Sequence, residues 1–190
     1  AMKISDSERL MLLMLCDIYD RTGTQGEFDT DFIRSAVFGE KTWSIPWKYS
    51  GIPFEDQDTP EVVKEVLDIL DMWSLIEHSV QSLSPEEREQ LEREAAPFGR
   101  SPQFRGFDGN GETEHMSTAS FLVHQLERFT EFKGRDFNAH VPTVDAYKRM
   151  LRPYNEVRHK LVRGPLGVAD LARILREQIH PENRRHGHEA

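Results

Sequence analysis

Thr59-Pro60-Glu61-Val62-Val63-Lys64-Glu65-Val66-Leu67-Asp68-Ile69-Leu70-Asp71-Met72-Trp73-Ser74-Leu75-Ile76-Glu77-His78-Ser79-Val80 is the stretch that decides the fold. Val62, Val66, Ile69, Trp73, Ile76 and Val80 follow one another at spacings of 4, 3, 4, 3 and 4. That is a heptad seam along one side of a helix, and Val63, Leu67 and Leu70 widen it. Thr59-Pro60 marks the start, a cap followed by proline at the first helical position. The seam covers fewer than three heptads, so it predicts packing inside a bundle rather than a free coiled coil. Glu61, Glu65 and Asp68 fall on another face, which reads as solvated.

Toward the N-terminus, Ser5-Asp6-Ser7-Glu8 is a capping box, and a helix is expected over about 6–20. Its middle, Leu10 to Leu15, is apolar on every side. A helix apolar all round is expected to be buried all round, centrally or sunk into a partner. Thr22-Gly23-Thr24 breaks it, and a second helix fits Thr30 to Phe38, ended by Gly39. Lys41 to Asp58 holds Trp43, Trp47, Tyr49 and Phe54 with Pro46 and Pro53 and keeps neither period. It reads as an ordered aromatic loop packed on the helices, with an exposed aromatic surface as the alternative.

Toward the C-terminus, Ser84-Pro85-Glu86-Glu87 is a second capping box. The charged helix behind it, with Leu91 as its main apolar residue, is expected to project into solvent or to hinge the two halves. After a Gly- and Pro-rich loop over 97–111, one helix is expected from Glu112 to about Phe132 and another from about Thr143 to Arg152. Pro153 predicts a kink or a fresh start. Gly164-Pro165 breaks the chain, a last helix fits Val168 to Ile179, and 183–190 reads as a loose tail. Strand-like alternation is nowhere sustained. The expectation is an all-α multihelical bundle, which could divide into two packed helical subdomains: an N-terminal half over 2–95 and a C-terminal half over 96–182.

Apolar residues make up 37 % and charged residues 30 % of the 190, a folded and not a disordered composition. Ala1 ahead of Met2 reads as a cleavage remnant. No run approaches a membrane span, and the longest apolar run, Leu10 to Cys16, lacks the basic start of a signal peptide. The lone Cys16 suits a reducing compartment and reads as a buried structural thiol. A cytoplasmic location without membrane contact is the expectation. The net charge of −9 is unevenly placed. Residues 1–147 carry 14 Lys and Arg against 28 Asp and Glu, a balance of −14, whereas 148–190 carry 10 against 5, a balance of +5. The acidic bulk argues against broad nucleic-acid binding. The simplest reading is that the two regions face each other, within a subunit or between subunits.

A family pattern runs through the second half. Gly106-Phe107-Asp108 precedes the helix with Glu112, Arg128-Phe129-Thr130-Glu131-Phe132 ends it, and Phe137-Asn138-Ala139, Pro142, Tyr147 and Arg149-Met150-Leu151 come after. In order and spacing this resembles the YfbU family of bacterial proteins, most strongly over about 104–151. Asp68-Ile69-Leu70-Asp71-Met72 is similar too, and the Arg9-Leu10 helix more weakly. The resemblance implies a multihelical fold and a tendency to oligomerise, and no established reaction.

No catalytic motif and no cofactor or metal site stands out. Glu112/His115 and Glu156/His159 each put carboxylate and imidazole one helical turn apart, the unit of carboxylate-bridged di-iron bundles. Glu112 opens its helix, Glu156 comes just after Pro153, and no second inward pair of glutamates appears, so surface pairs are the simpler reading. Asp108-Gly109-Asn110-Gly111-Glu112 fails as a calcium loop, with Thr113 and Ala119 where glycine and glutamate belong, and reads as a turn capping the next helix. His186 and His188 fall in the tail. Asp108, Arg128, Asn138, His140, Tyr147 and Arg149 form one candidate polar cluster, either a structural ion pair with its loops or a pocket. The preferred reading is a non-enzymatic homo-oligomer acting through protein–protein contacts, with Leu10, Leu13, Met14, Val62, Val66 and Trp73 as interface candidates. The alternatives are nucleic-acid binding through a helix-turn-helix around Gly164-Pro165, with Arg173 and Arg176 on phosphate, and an enzyme or ligand binder with a pocket near Asp108, Arg128 and His140.

Overall fold

The heptad seam lies on a helix that other helices cover from two directions. A computed structural model describes residues 3–23, 26–55, 58–158 and 164–182. Among them are α1 (Asp6–Arg21), α2 (Thr30–Phe38), a short α3 (Ile45–Lys48), α4 (Glu61–Ser82), α5 (Pro85–Glu94), α6 (Thr113–His124), α7 (Val144–Arg158) and α8 (Val168–Arg176). No strand occurs among the described residues; Phe107 and Asn138 make one isolated parallel bridge. The protein is all-helical, as the periodicity predicts.

On α4, Val66, Ile69, Trp73 and Ile76 are buried together with Val63 and Leu70. α6 and α7 pack against this helix, so its seam closes inside the chain. α8 packs on both α5 and α7, and one continuous core runs from Phe32 to Leu175. Segments before and after residue 95 therefore share that core. Both capping boxes form: the Ser5 and Ser84 hydroxyls accept the N–H groups of Glu8 and Glu87, whose carboxylates accept the cap N–H groups in return. Pro60 stands one residue earlier than expected, at the cap of α4.

Several expectations need correction. The aromatic segment after α2 is partly helical, through a 3-10 turn at Thr42–Ser44 and α3. It packs inward: Trp43 and Ile45 are buried, and Trp43 meets Trp47 edge-on at 4.9 Å between ring centroids. α5 does not project, because Leu91 buries one side of it against the core and α8 lies alongside. α6 ends at His124, well short of Phe132. Glu127 and Phe129 take left-handed backbone, and the turn brings Phe132 back onto Phe104 at 5.3 Å. α7 continues through Pro153. A proline inside a helix costs about 3 kcal/mol, yet Met150 and Tyr154 are fully buried on either side of it and hold both halves to the core. α1 departs most: only Cys16 is buried, and Leu10, Met11, Met14, Leu15 and Ile18 face solvent. The expected breaks at Thr24 and the tail over 183–190 lie outside the described residues, and Gly164-Pro165 adjoins an undescribed stretch.

The difference between α4 and α1 is measurable. Leu70→Ala removes a fully buried side chain and is expected to lower unfolding free energy by about 2–5 kcal/mol, or roughly 2–4 °C in Tm per kcal/mol. Leu10→Ala, at a site 60 % exposed, should change it by less than about 0.5 kcal/mol. Urea unfolding of both variants, at a concentration low enough to keep copies apart, checks the contrast.

Candidate functional site

Glu112 organises the loops that carry most of the polar residues. It caps α6, and its carboxylate reaches across to the start of α7. It accepts from Asp108 N at 2.9 Å, Thr143 N at 2.9 Å, Thr143 Oγ1 at 3.0 Å and Val144 N at 2.8 Å. The first N–H groups of a helix have no partner within the helix, and one half-buried carboxylate here takes those of Thr143 and Val144, where α7 starts. Asp108 makes the turn before α6, accepting from Asn110 N and Gly111 N. Gly106 is required where it stands: at φ +86° it runs so close to Phe137 that a Cβ would lie 2.1 Å from the Phe137 carbonyl oxygen.

The six polar residues picked out by sequence fall into separate places. Asp108 and Asn138 adjoin, for Asn138 Oδ1 accepts from Gly109 N and from His140 N at 3.0 Å each. His140 is exposed, with left-handed backbone. Tyr147 is buried among Trp73, Phe104 and Phe107, and its hydroxyl accepts from Arg105 N; burial pushes its phenol well above the usual range. Arg149 reaches the other way and donates to the carbonyls of Glu177 and Gln178. Arg128 lies 4.8 Å over the Trp47 ring.

Glu112 and His115 also go to different partners. His115 Nε2 lies 2.9 Å from Glu65, whose other oxygen takes Lys148 Nζ at 2.7 Å. Partial burial alone would raise the Glu65 carboxyl, but the bonds from Lys148 and His115 hold it below its ordinary value. Arg158 pairs with Asp68 and Asp71, and Tyr154 donates to Asp71 at 2.7 Å. The acidic face of α4 thus meets basic residues of α7 within the chain. Arg173 pairs with Glu156, and Arg176 donates to the Glu94 carbonyl. His159 and the tail histidines lie outside the described residues.

Two hollows adjoin this block, and sequence reasoning missed both. An open cleft of about 450 Å³ is lined by Gln103, Phe104, Arg105, Arg135, Asp136, Asn138 and Ala139, with Arg135 held by Glu77. A more enclosed cavity of about 240 Å³ lies over Trp73. Pro97, Phe98 and Pro102 give it apolar walls; Arg100, Ser101, Gln103, Arg105 and Gln178 supply polar groups. The only hint in the sequence is two arginines set among prolines in the 97–105 loop.

The apolar face of α1 is the third feature. Leu10, Met14 and Ile18 stand four residues apart, Met11 and Leu15 run beside them, and each exposes 53–60 % of its surface. Leu13 is half-buried and Val62 is half-buried on α4. Val66 and Trp73 are buried in the chain's own core, away from the exposed face of α1.

Helices gathered around a central α4, with loops tied by one capping carboxylate, define an all-α multihelical protein of the class the sequence pattern implies. The profile of the YfbU domain matches residues 2–176, and the chain belongs to the YfbU family. It is also similar to the UPF0304 protein MJECS11 of Methanocaldococcus jannaschii, 31 % identical over 91 residues. That match takes in 45 % of this chain and 51 % of the relative, so this chain spans about half of it. The relative is archaeal, and proteins similar to this chain are therefore not confined to bacteria. No helix of the described residues is long and apolar enough to cross a membrane.

Two carboxylates can be tested. Glu112→Gln keeps the shape but sets an amide N–H₂ against donors, so it should destabilise by about 2 kcal/mol in urea unfolding. Glu65→Gln should cost about 1 kcal/mol at pH 7. Because the folded-state pKa of Glu65 is depressed, its contribution is present above the unfolded carboxylate pKa and is lost as pH falls through the folded value. The gap between wild type and Glu65→Gln should therefore close in acid; a gap that stays constant down to the acid limb assigns the effect to packing instead.

Proposed function

We propose that this protein works through protein–protein contacts as a non-enzymatic assembly module, and that the exposed face of α1 docks on α1 of a second copy. The carrying observation is that face. An apolar patch of this kind on a single copy marks a contact surface, and these five side chains lie side by side on one helix. The stripe is self-complementary. Its centre is Met14, with Leu10 and Ile18 four residues to either side. A twofold axis at Met14 sets the two helices antiparallel and lays Leu10 of one copy on Ile18 of the other, the geometry of an isologous interface.

Charge favours the same arrangement. Asp6 and Glu8 lie in the first turn of α1 and Arg21 in the last. Antiparallel pairing brings acidic ends to basic ends and opposes the helix dipoles, whereas parallel pairing sets like against like. Asp17 and Asp20 are engaged by Arg34 of α2 and stay with their own chain. Covering the stripe on two copies removes on the order of 1,000 Å² of surface, near the lower bound for a specific interface. A reducing cytoplasm suits such a protein, with its one thiol, Cys16, on the opposite side of α1 in the interior.

Light scattering after size exclusion, over a wide concentration range, tests the reading. Wild type should dimerise. Met14→Glu places two carboxylates face to face at the axis and should weaken the dimer roughly a hundredfold or more, with the far-UV circular dichroism of the chain unchanged. A wild type that stays monomeric at the highest concentration, or a dimer indifferent to Met14→Glu, overturns it.

A further inference from the structure

The cavity over Trp73 is a preformed pocket, and Trp73, one of its lining residues, carries an unmet donor. Trp73 is 1 % exposed and lines the cavity, and its Nε1–H is buried without a hydrogen-bond partner. Among the described residues only Arg9 Nε and Tyr19 OH share that condition. Buried donors are almost always paired in folded proteins, so one left partnerless beside a hollow calls for an acceptor. Around it the lining is rich in donors: the guanidinium groups of Arg100 and Arg105, the Ser101 hydroxyl and the amides of Gln103 and Gln178. No Asp or Glu is among the lining residues. Arg105 has no carboxylate within ion-pair distance among the described residues, and Arg100, 82 % exposed, has only a loose contact with Glu92 at 3.7 Å.

The walls are fixed in advance. Phe104 N donates to Glu77 at 2.8 Å and Arg105 N to the Tyr147 hydroxyl, which hold the loop beside α4. Gly99 presses this loop onto α5 so closely that a Cβ there would lie 2.2 Å from the Leu91 carbonyl oxygen. Arg149 grips the carbonyls of Glu177 and Gln178 on the far wall. A site whose groups are held before binding loses little conformational freedom when it is filled.

We infer that this cavity binds a small organic oxyanion, a carboxylate or phosphate carried on an apolar body, with Arg105 and the Trp73 indole N–H as its principal donors. Guanidinium is the side chain best matched to a planar carboxylate or to phosphate. The volume of about 240 Å³ limits the ligand to a small molecule. Phe98 and the two prolines suit its apolar part. This site shares no residue with the α1 face and stands whether or not copies pair.

The full chain labelled with ¹⁵N-tryptophan gives indole N–H signals for Trp43, Trp47 and Trp73. Trp73→Phe identifies its own signal; if that variant fails to fold, replacing Trp43 and Trp47 in turn identifies it by elimination. Titration with benzoate and with phenyl phosphate should move the Trp73 signal saturably and leave the other two in place, the tighter probe naming the head group. Benzyl alcohol, the uncharged counterpart, should bind at least about tenfold more weakly, and Arg105→Gln should weaken the anion by about tenfold or more without moving the Trp43 and Trp47 signals. A Trp73 signal unmoved by both anions, as when water alone satisfies the indole, overturns the inference. So does equal binding of the alcohol, or an Arg105→Gln variant with wild-type affinity.

Discussion

The carboxylate of Glu112 is the contact on which the geometry of the second half depends. Burial of apolar side chains supplies most of the driving force, but it is non-directional. Glu112 adds direction: one half-buried anion accepts from the turn before α6 and from the first N–H groups of α7, so the two helices start from a common point. From that point α7 lies along α4, placing Tyr147 against Trp73, Tyr154 on Asp71 and Arg149 at the end of α8. The first and last of these contacts also steady the hollow over Trp73. The polar residues of the family pattern thus act mainly as orienting groups, because they sit where backbone leaves a helix and needs partners.

Electrostatics has the same orienting role on a larger scale. In sequence, the acidic and basic regions read most simply as surfaces that face each other. In the fold, Lys148 and Arg158 of α7 lie on Glu65, Asp68 and Asp71 of α4, and Arg173 of α8 on Glu156. Most of these pairs are substantially exposed, so they contribute little stability individually. Their value is positional: they favour one rotation of α7 about α4. Glu65 differs from the rest, since it is mostly covered and takes two partners.

The parts of the fold legible in sequence are those whose signals are local. α4 is readable because its apolar seam keeps one period along the whole helix. The two capping boxes are readable because each is complete within four residues. The end of α6 is not, because the turn after His124 is imposed by Phe132 returning to Phe104, a contact outside the reach of local sequence. Continuation of α7 through Pro153 is hidden likewise, since local propensity argues for a break and tertiary anchoring at Met150 and Tyr154 prevails. Of the candidate cluster, Asp108 and Asn138 lie close in the fold, where Gly109 N donates to Asn138 Oδ1, because both belong to the loops that frame α6. Arg128 and Arg149 cannot be assigned, as nothing local tells an arginine whether it meets an indole ring or a helix end. The cavity needs α4, the 97–105 loop and the chain after α8 together, so no window of sequence contains it.

α1 is the element in which local pattern and observed burial disagree most, and the disagreement is informative. An all-round apolar helix should bury every side, yet the chain covers only the side with Cys16, where α2 lies. Natural sequences make their local choices agree with the whole fold, and exceptions concentrate at functional surfaces. The outer side of α5 is polar by contrast, with Glu86, Glu89 and Arg93 exposed. No residue of α1 or α2 lines the cavity over Trp73, whose walls come from α4, the 97–105 loop and Gln178. Pairing through α1 would therefore leave that hollow open, and the chain can hold a surface for a second copy and a pocket for a small anion without either obstructing the other.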